Sequence, residues 1–162
     1  MEKFDVVVVG GGAGGIACAW NAAKSGLKTL LIEKNIHLGG LITSGLVIPV
    51  MKLNSLGINV EFYNELISVA KSRNACVTYE DGNSGWFNPE LMKSVFDEML
   101  SSVGCKVLFN TEIFQVEEKN DKFFLNANSD VLSLHIETTY LVDGTGTVSY
   151  THLRAHETRE DL

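Results

Sequence analysis

The apolar positions of this chain fall into three regimes, and their order sets out the fold. Val6 to Val9 is an unbroken β-branched run, the pattern of a short strand buried on both faces. Glycines follow at once, and then Ile16, Ala19, Trp20 and Ala23 recur at helical spacing. That spacing predicts a helix from about Gly14 to Ser25, with Gly26 as the residue past its end. Thr29 to Ile32 reads as a second apolar strand. Beyond a polar loop at Lys52 to Ile58, Val60, Tyr63, Ile67 and Ala70 predict an amphipathic helix over Asn59 to Ser72. A second loop, Asp81 to Gly85, leads to Asn88 and Pro89, a cap and first-turn pair that starts a helix. Leu91, Val95 and Met99 carry its apolar face to about Val103, where Gly104 ends it. From Cys105 the period changes to two. Lys106 to Phe109, Ile113 to Glu118, Lys122 to Asn126 and Ser133 to Glu137 read as short strands, and Thr138 to Val142 as a last apolar one. Asn120-Asp121 and Asn128-Ser129-Asp130 supply the turns.

The turn between the first strand and the first helix carries candidate chemistry. Gly10, Gly12 and Gly15 fit G-x-G-x-x-G at the point where strand becomes helix. The first glycine permits a tight turn, the second lets backbone approach a diphosphate, and the third lets the helix lie close to the strand. Amides at the helix start and the helix dipole then favour the phosphate charge. Glu33 closes the second strand, where a carboxylate can accept hydrogen bonds from the hydroxyls of an adenosine ribose. An acid there disfavours a 2′-phosphate, and with it NADP. A plain glycine-rich βαβ turn shares the glycines but does not need the strand, spacing, helix and acid together. Trp20 reads as core and His37 as a solvated loop residue.

Two further glycine segments follow. Gly39 and Gly40 precede Thr43, Ser44 and Gly45, and read as a second backbone cradle along the same extended ligand. Asp143-Gly144-Thr145-Gly146-Thr147 comes directly after the last strand. With GGGAGG, LLIEKN and LGGLITSGL in this order, the chain resembles the N-terminal part of FAD-dependent oxidoreductases of the glutathione-reductase-like superfamily. Gly39 to Val47 is similar to the heterodisulfide reductase A-like branch of these flavoproteins.

The resemblance covers residues 1 to about 147. It implies an α/β fold: a Rossmann-like FAD-binding βαβ unit with a parallel sheet and an inserted antiparallel β-meander. The domain, residues 1–147, would be incomplete, its substrate part missing or only begun at about 46–88. Cofactor contacts are implied at Gly10, Gly12, Ala13, Gly14 and Gly15 for the diphosphate, at Glu33 for the ribose, and at its neighbour Lys34. Gly39, Gly40 and Thr43 would pass near the flavin end, and Ile113 near the adenine edge. Gly144 and Gly146 would stand where the final strand returns to the cofactor. Ala13-Gly14 departs from a common Pro-Ala, and Gly144 from a common alanine. The implied activity moves hydride or electrons between flavin and a small-molecule substrate, with a separate electron donor or acceptor; no catalytic residue is assigned. An iron–sulfur cluster enters only through the resemblance. Two other readings stay open. One is a non-catalytic module of the same fold, as in Rab-escort and GDP-dissociation-inhibitor proteins, which the intact loop and Glu33 disfavour. The other is an NAD-binding Rossmann dehydrogenase, which the second glycine pair and the meander disfavour.

Composition narrows this further. The 162 residues suit one domain with a real core. A net charge of −7 opposes the basic footprint that nucleic acid requires. No apolar run approaches the roughly 20 residues of a membrane span, and no signal peptide is visible, so a cytoplasmic location is expected. Cys18, Cys76 and Cys105 form no C-x-x-C and read as reduced thiols. They cannot supply the four thiolates of a cluster. The last segment, VSYTHLRAHETREDL over 148–162, resembles a translated sequencing adapter and is expected to be foreign to the fold. Its other reading is a metal pair, since His152 and His156 stand at i and i+4 beside Glu157.

Overall fold

The computed structural model describes residues 1–50, 57–77, 85–129 and 132–146. Most of the loop expected at Lys52 to Ile58, residues 81–84, Asp130, Thr147 and the segment 148–162 lie outside the described residues.

The order is strand β1 (Glu2–Val9), helix α1 (Ala13–Lys24), β2 (Thr29–Ile32), a 3₁₀ turn (Gly40–Ile42), α2 (Ile58–Ser72), β3 (Cys76–Val77), β4 (Trp86–Phe87), α3 (Pro89–Ser102), β5 (Lys106–Leu108), β6 (Thr111–Lys119), β7 (Lys122–Ser129) and β8 (Ser133–Asp143). Six strands form one sheet in the order β5-β2-β1-β8-β7-β6, and β3 with β4 forms a small separate hairpin. Strand β1 runs parallel to β2 and β8, and β2 parallel to β5. Strand β7 runs antiparallel to β6 and β8. This is an α/β domain: a Rossmann-like parallel core with an antiparallel meander on one side.

Alternation along β1 divides the core. Val6 and Val8 join Leu31 and pack under α1, α2 and α3, against Ile16, Trp20, Phe96 and Met99. Val7 and Val9, with Leu30 and Ile32, face the other way and meet Ile113, Leu125, Ala127 and Ile136 of the meander. Both faces of β1 are therefore covered, and Val7 and Val8 are fully buried. Each such valine contributes on the order of 1.5–3 kcal/mol of burial, as an upper estimate. Trp20 is core, with its ring edge-on to Phe62 at 5.7 Å and Lys24 Nζ 4.5 Å from its centroid. His37 is half-buried rather than solvated, its Nε2 lying 3.4 Å from Ser44 Oγ.

The ends of the three helices share one mechanism. At each, two amides bond back into the last turn around a residue of positive φ: Gly26, Asn74 and Gly104. The two glycines are legible in the sequence; the asparagine is not. At the start of α3, Asn88 Oδ1 accepts from the amides of Glu90 and Leu91, as its position before Pro89 implies. Asn120 and Asp121 both take positive φ, giving the two-residue hairpin turn that joins β6 to β7.

One expectation is corrected. Ser133 to Glu137 and Thr138 to Val142 are not two strands but one, β8. Nothing in that stretch breaks an extended chain, and the change of partner replaces the turn. Its first half pairs with β7 and its second half with β1, the two overlapping at Ile136 to Thr138. At the overlap sits Glu137, its side chain 8% exposed, bonded to Lys122 of β7 and to Lys3 of β1. Those ammonium groups, Lys122 first and then Lys3, hold its carboxyl below the usual glutamate range. The ionised form is thus favoured by folding, and the stabilisation exists above the ordinary carboxyl value and fades as pH falls through the lowered one. Glu137→Gln is expected to lower the melting temperature at pH 7, and the gap to the parent should narrow below about pH 4.5. A gap that stays constant down to acid pH would deny the charge its part.

Cys18 of α1, Cys76 of β3 and Cys105, just before β5, are free thiols. Burial pushes Cys105 up to about 11. At pH 8 only about one molecule in a thousand then carries the thiolate at this position. Mass-mapped alkylation of native protein at pH 8 should leave Cys105 unmodified, and denaturation should expose it. Rapid native labelling would contradict its placement in the core.

Candidate dinucleotide site

The site forms because three strands end level. Val9 pairs with Ile32 on one side and with Asp143 on the other, so β1, β2 and β8 stop in one row at their carboxyl ends. That edge is where parallel α/β sheets bind ligands. The ladder carries one residue further, since the Gly10 amide donates to Ile32 O and the Gly144 amide to Val9 O.

The chain leaves β1 through Gly10, with φ +99°. A side chain there would meet the Gly144 backbone at about 2.5 Å, so Gly10 serves both the turn and the packing. A Cβ on Gly15 would fall on the Gly10 carbonyl oxygen, which is the close helix–strand approach expected of that position. Gly12 differs. It caps α1 with φ −76° and no side-chain cap, and no atom lies within 4 Å of where its Cβ would stand. The same open space borders Gly14. Ala13 and Gly14 are exposed at the first turn of α1, whose amides find no partner inside the helix. The loop is thus an uncovered concavity of backbone at a helix N-terminus, the form that suits a diphosphate.

Glu33 faces this loop. It is 6% exposed, and a buried carboxylate requires hydrogen-bond donors. Its Oε2 accepts from the Gly11 amide at 2.6 Å. Its Oε1 accepts from the Asn35 amide at 2.8 Å and from Asn35 Nδ2 at 2.6 Å. Gly11, a variable position in the fingerprint, proves spatially constrained: a Cβ there would meet Leu38 Cδ2 at 2.5 Å and Glu33 Oε2 at 3.0 Å. Neither Gly11 nor Asn35 stands out in the sequence. The cue for them is slight, a third glycine inside the motif and an amide two residues beyond the acid. Lys34 is exposed and takes no part in these hydrogen bonds to Glu33.

The second glycine segment rests on the first. The Gly39 amide donates to Gly11 O, and a Cβ on Gly40 would stand 3.2 Å from Gly12 Cα. Thr43 is 1% exposed and donates its hydroxyl to Leu38 O at 2.7 Å; a side chain on Gly39 would collide with it. The hydroxyl of Thr43 is therefore committed to shaping its own loop. Gly144 lies between Gly10 and Gly15, where a Cβ would be 3.1–3.3 Å from Val9 O, Gly10 O and Gly15 Cα. Asp143 holds the following turn through Thr145, and Gly146 is exposed with open space around it. Ile113 lies on β6, whose first residue, Thr111, donates its amide to Glu33 O, and its side chain is 4% exposed within the core that backs the meander. Among the described residues, no group of three or more His, Cys, Asp or Glu is placed to hold a metal ion. Nor is any helix among them long and apolar enough to cross a membrane.

Comparison with known proteins shows the family and the fold. Residues 5–155 match the family described as FAD dependent oxidoreductase, a match that runs into the segment read above as adapter-derived. A digeranylgeranylglycerophospholipid reductase of Methanococcus vannielii is 28% identical over 157 residues, covering 91% of this chain and 39% of that protein. A flavoprotein/dehydrogenase from Cytophaga hutchinsonii superposes with a TM-score of 0.63 at 17% identity, covering 96% of this chain and 41% of the other. The p-nitrophenol 4-monooxygenase PnpA of Pseudomonas putida DLL-E4 gives 0.66 at 14% identity, covering 94% and 43%. The two structures speak for the fold alone, and the chain spans about two-fifths of the length of these proteins. With that match over most of its length, the chain belongs to the family of FAD-dependent oxidoreductases.

Proposed function

We propose that this chain is the FAD-holding part of an oxidoreductase that exchanges hydride or electrons with a small-molecule substrate and passes them to a separate partner. The observation that carries the reading is the contrast within one loop. Gly10 and Gly15 are filled against by backbone, while Gly12 and Gly14 border open space beside a buried, ionisable acid. The residues fit the cofactor. Backbone at Gly12, Ala13 and Gly14 would face the diphosphate, and Glu33 would take the adenosine ribose. The isoalloxazine of bound FAD supplies the redox chemistry; these residues bind and orient the cofactor by its other end. Gly40, which approaches Gly12, and Gly146 would extend the cradle. Residues 46–88 would begin the part that covers the substrate.

The alternatives fare less well on the same geometry. A non-catalytic module has no use for an open diphosphate cradle beside a buried acid. A nicotinamide dehydrogenase would not need the second glycine loop that seats on the first.

Gly12→Val tests the reading cleanly. Its φ of −76° suits any residue, and its Cβ direction is empty, so the fold should survive while the side chain fills the space for the diphosphate. Expected are a melting temperature without cofactor lowered by no more than a few degrees, the cost of a poorer helix cap, and a flavin content, read from visible absorbance of the purified protein, at least tenfold lower. Gly15→Ala should instead damage folding itself, because its methyl meets the Gly10 carbonyl. Full flavin occupancy in Gly12→Val would refute the assignment of the loop.

A further inference from the structure

We propose that Asn35 is a positioning residue for the ribose acid: it sets the plane of the Glu33 carboxylate and thereby the strength with which the site takes an adenosine ribose. The inference rests on the assignment of Glu33 to the ribose. A glutamate side chain has three rotatable bonds, and a single hydrogen bond leaves its carboxylate free to turn. Here both oxygens are tied. Oε2 is held by the Gly11 amide, a donor that belongs to the cradle loop itself. Oε1 is held twice by one residue, through the Asn35 amide and through Nδ2 at 2.6 Å. Asn35 is in turn anchored, since its carbonyl accepts from the Asn110 amide at 3.2 Å, beyond the end of β5.

The acceptor count shows what this arrangement leaves for a ligand. A carboxylate offers about four acceptor positions. Three are used by Gly11 and Asn35, so capacity for a sugar hydroxyl remains, and it remains on the oxygen beside the cradle. An anionic 2′-phosphate would meet the Glu33 carboxylate there. Asn35 thus acts through Glu33 and never on the cofactor's flavin end. Its side chain sits at the exposed rim of the site, so its replacement does not open the core.

The test uses the flavin-free full chain and two nucleotides that share the diphosphate but differ in the sugar: ADP and 2′,3′-dideoxy-ADP, titrated by calorimetry. The parent should bind ADP more tightly. In Asn35→Ala, affinity for ADP should fall about fivefold, the effect of losing one hydrogen bond to a charged group that orients another. Affinity for the dideoxy compound should stay within about twofold. Asn35→Asp keeps the shape but replaces donor with acceptor, and should lower ADP affinity more, again sparing the dideoxy compound. Equal losses for both nucleotides would overturn the proposal, because a structural defect does not distinguish sugars. If the parent itself fails to prefer ADP, the ribose assignment of Glu33 falls, and the role of Asn35 falls with it.

Discussion

The structure depends on one close approach of bare backbone. The carbonyl of Gly10 lies where a side chain on Gly15 would have to be, and Gly144 closes the same contact from the third strand. No side chain takes part. Three peptide segments meet within van der Waals distance because none of the three carries a Cβ. That contact brings α1 down onto β1 and points its N-terminus at the edge where β1, β2 and β8 end together. Everything said of a ligand follows from that placement, because a helix start a few ångströms further from the sheet would offer no cradle.

The second glycine loop extends the same logic. It is tied to the first by the Gly39 amide on Gly11 O and by the approach of Gly40 to Gly12. It is kept in shape from within by Thr43, whose hydroxyl is bonded to Leu38 O. Leu38 is fully buried and presses on the Gly11 position, so it limits that residue as firmly as the acid does. The two loops therefore form one body. A displacement of Gly39 would be felt at Gly11, and through the Gly11 amide at the Glu33 carboxylate.

Much of this is legible in the residues. The β-branched run of β1, the stripe on α1, the Asn88-Pro89 start and the Asn120-Asp121 turn each announce local structure by local chemistry, and each stands where it is expected. What escapes is decided by distant partners. Strand β8 reads as two strands because a strand that changes neighbours carries no mark of the change. The hairpin of Cys76–Val77 with Trp86–Phe87 is too short for any period to register. In the site, Gly10, Gly12, Gly15 and Glu33 converge because their spacing encodes one βαβ unit. Asn35 and Gly11 give no such signal, since their importance lies in hydrogen bonds to a carboxylate that only the fold brings near.

The fingerprint thus separates into two physical jobs. Gly10, Gly15 and Gly144 are required by the folded chain whether or not a ligand is present, because a methyl at any of them presses on backbone, which cannot rotate away. Gly12 and Gly14 are not required by the chain at all: their Cβ positions are open, and Gly12 occupies a backbone region suited to any residue. A sequence shaped only for stability would place alanine at position 14, inside the first turn, since alanine is favoured over glycine in helices by roughly 1 kcal/mol, and Ser, Asp or Asn at position 12, the cap. Keeping glycine there sacrifices stability to preserve a space. That unfilled space, next to an acid already surrounded by donors, is the strongest physical argument that the loop is built around something other than protein.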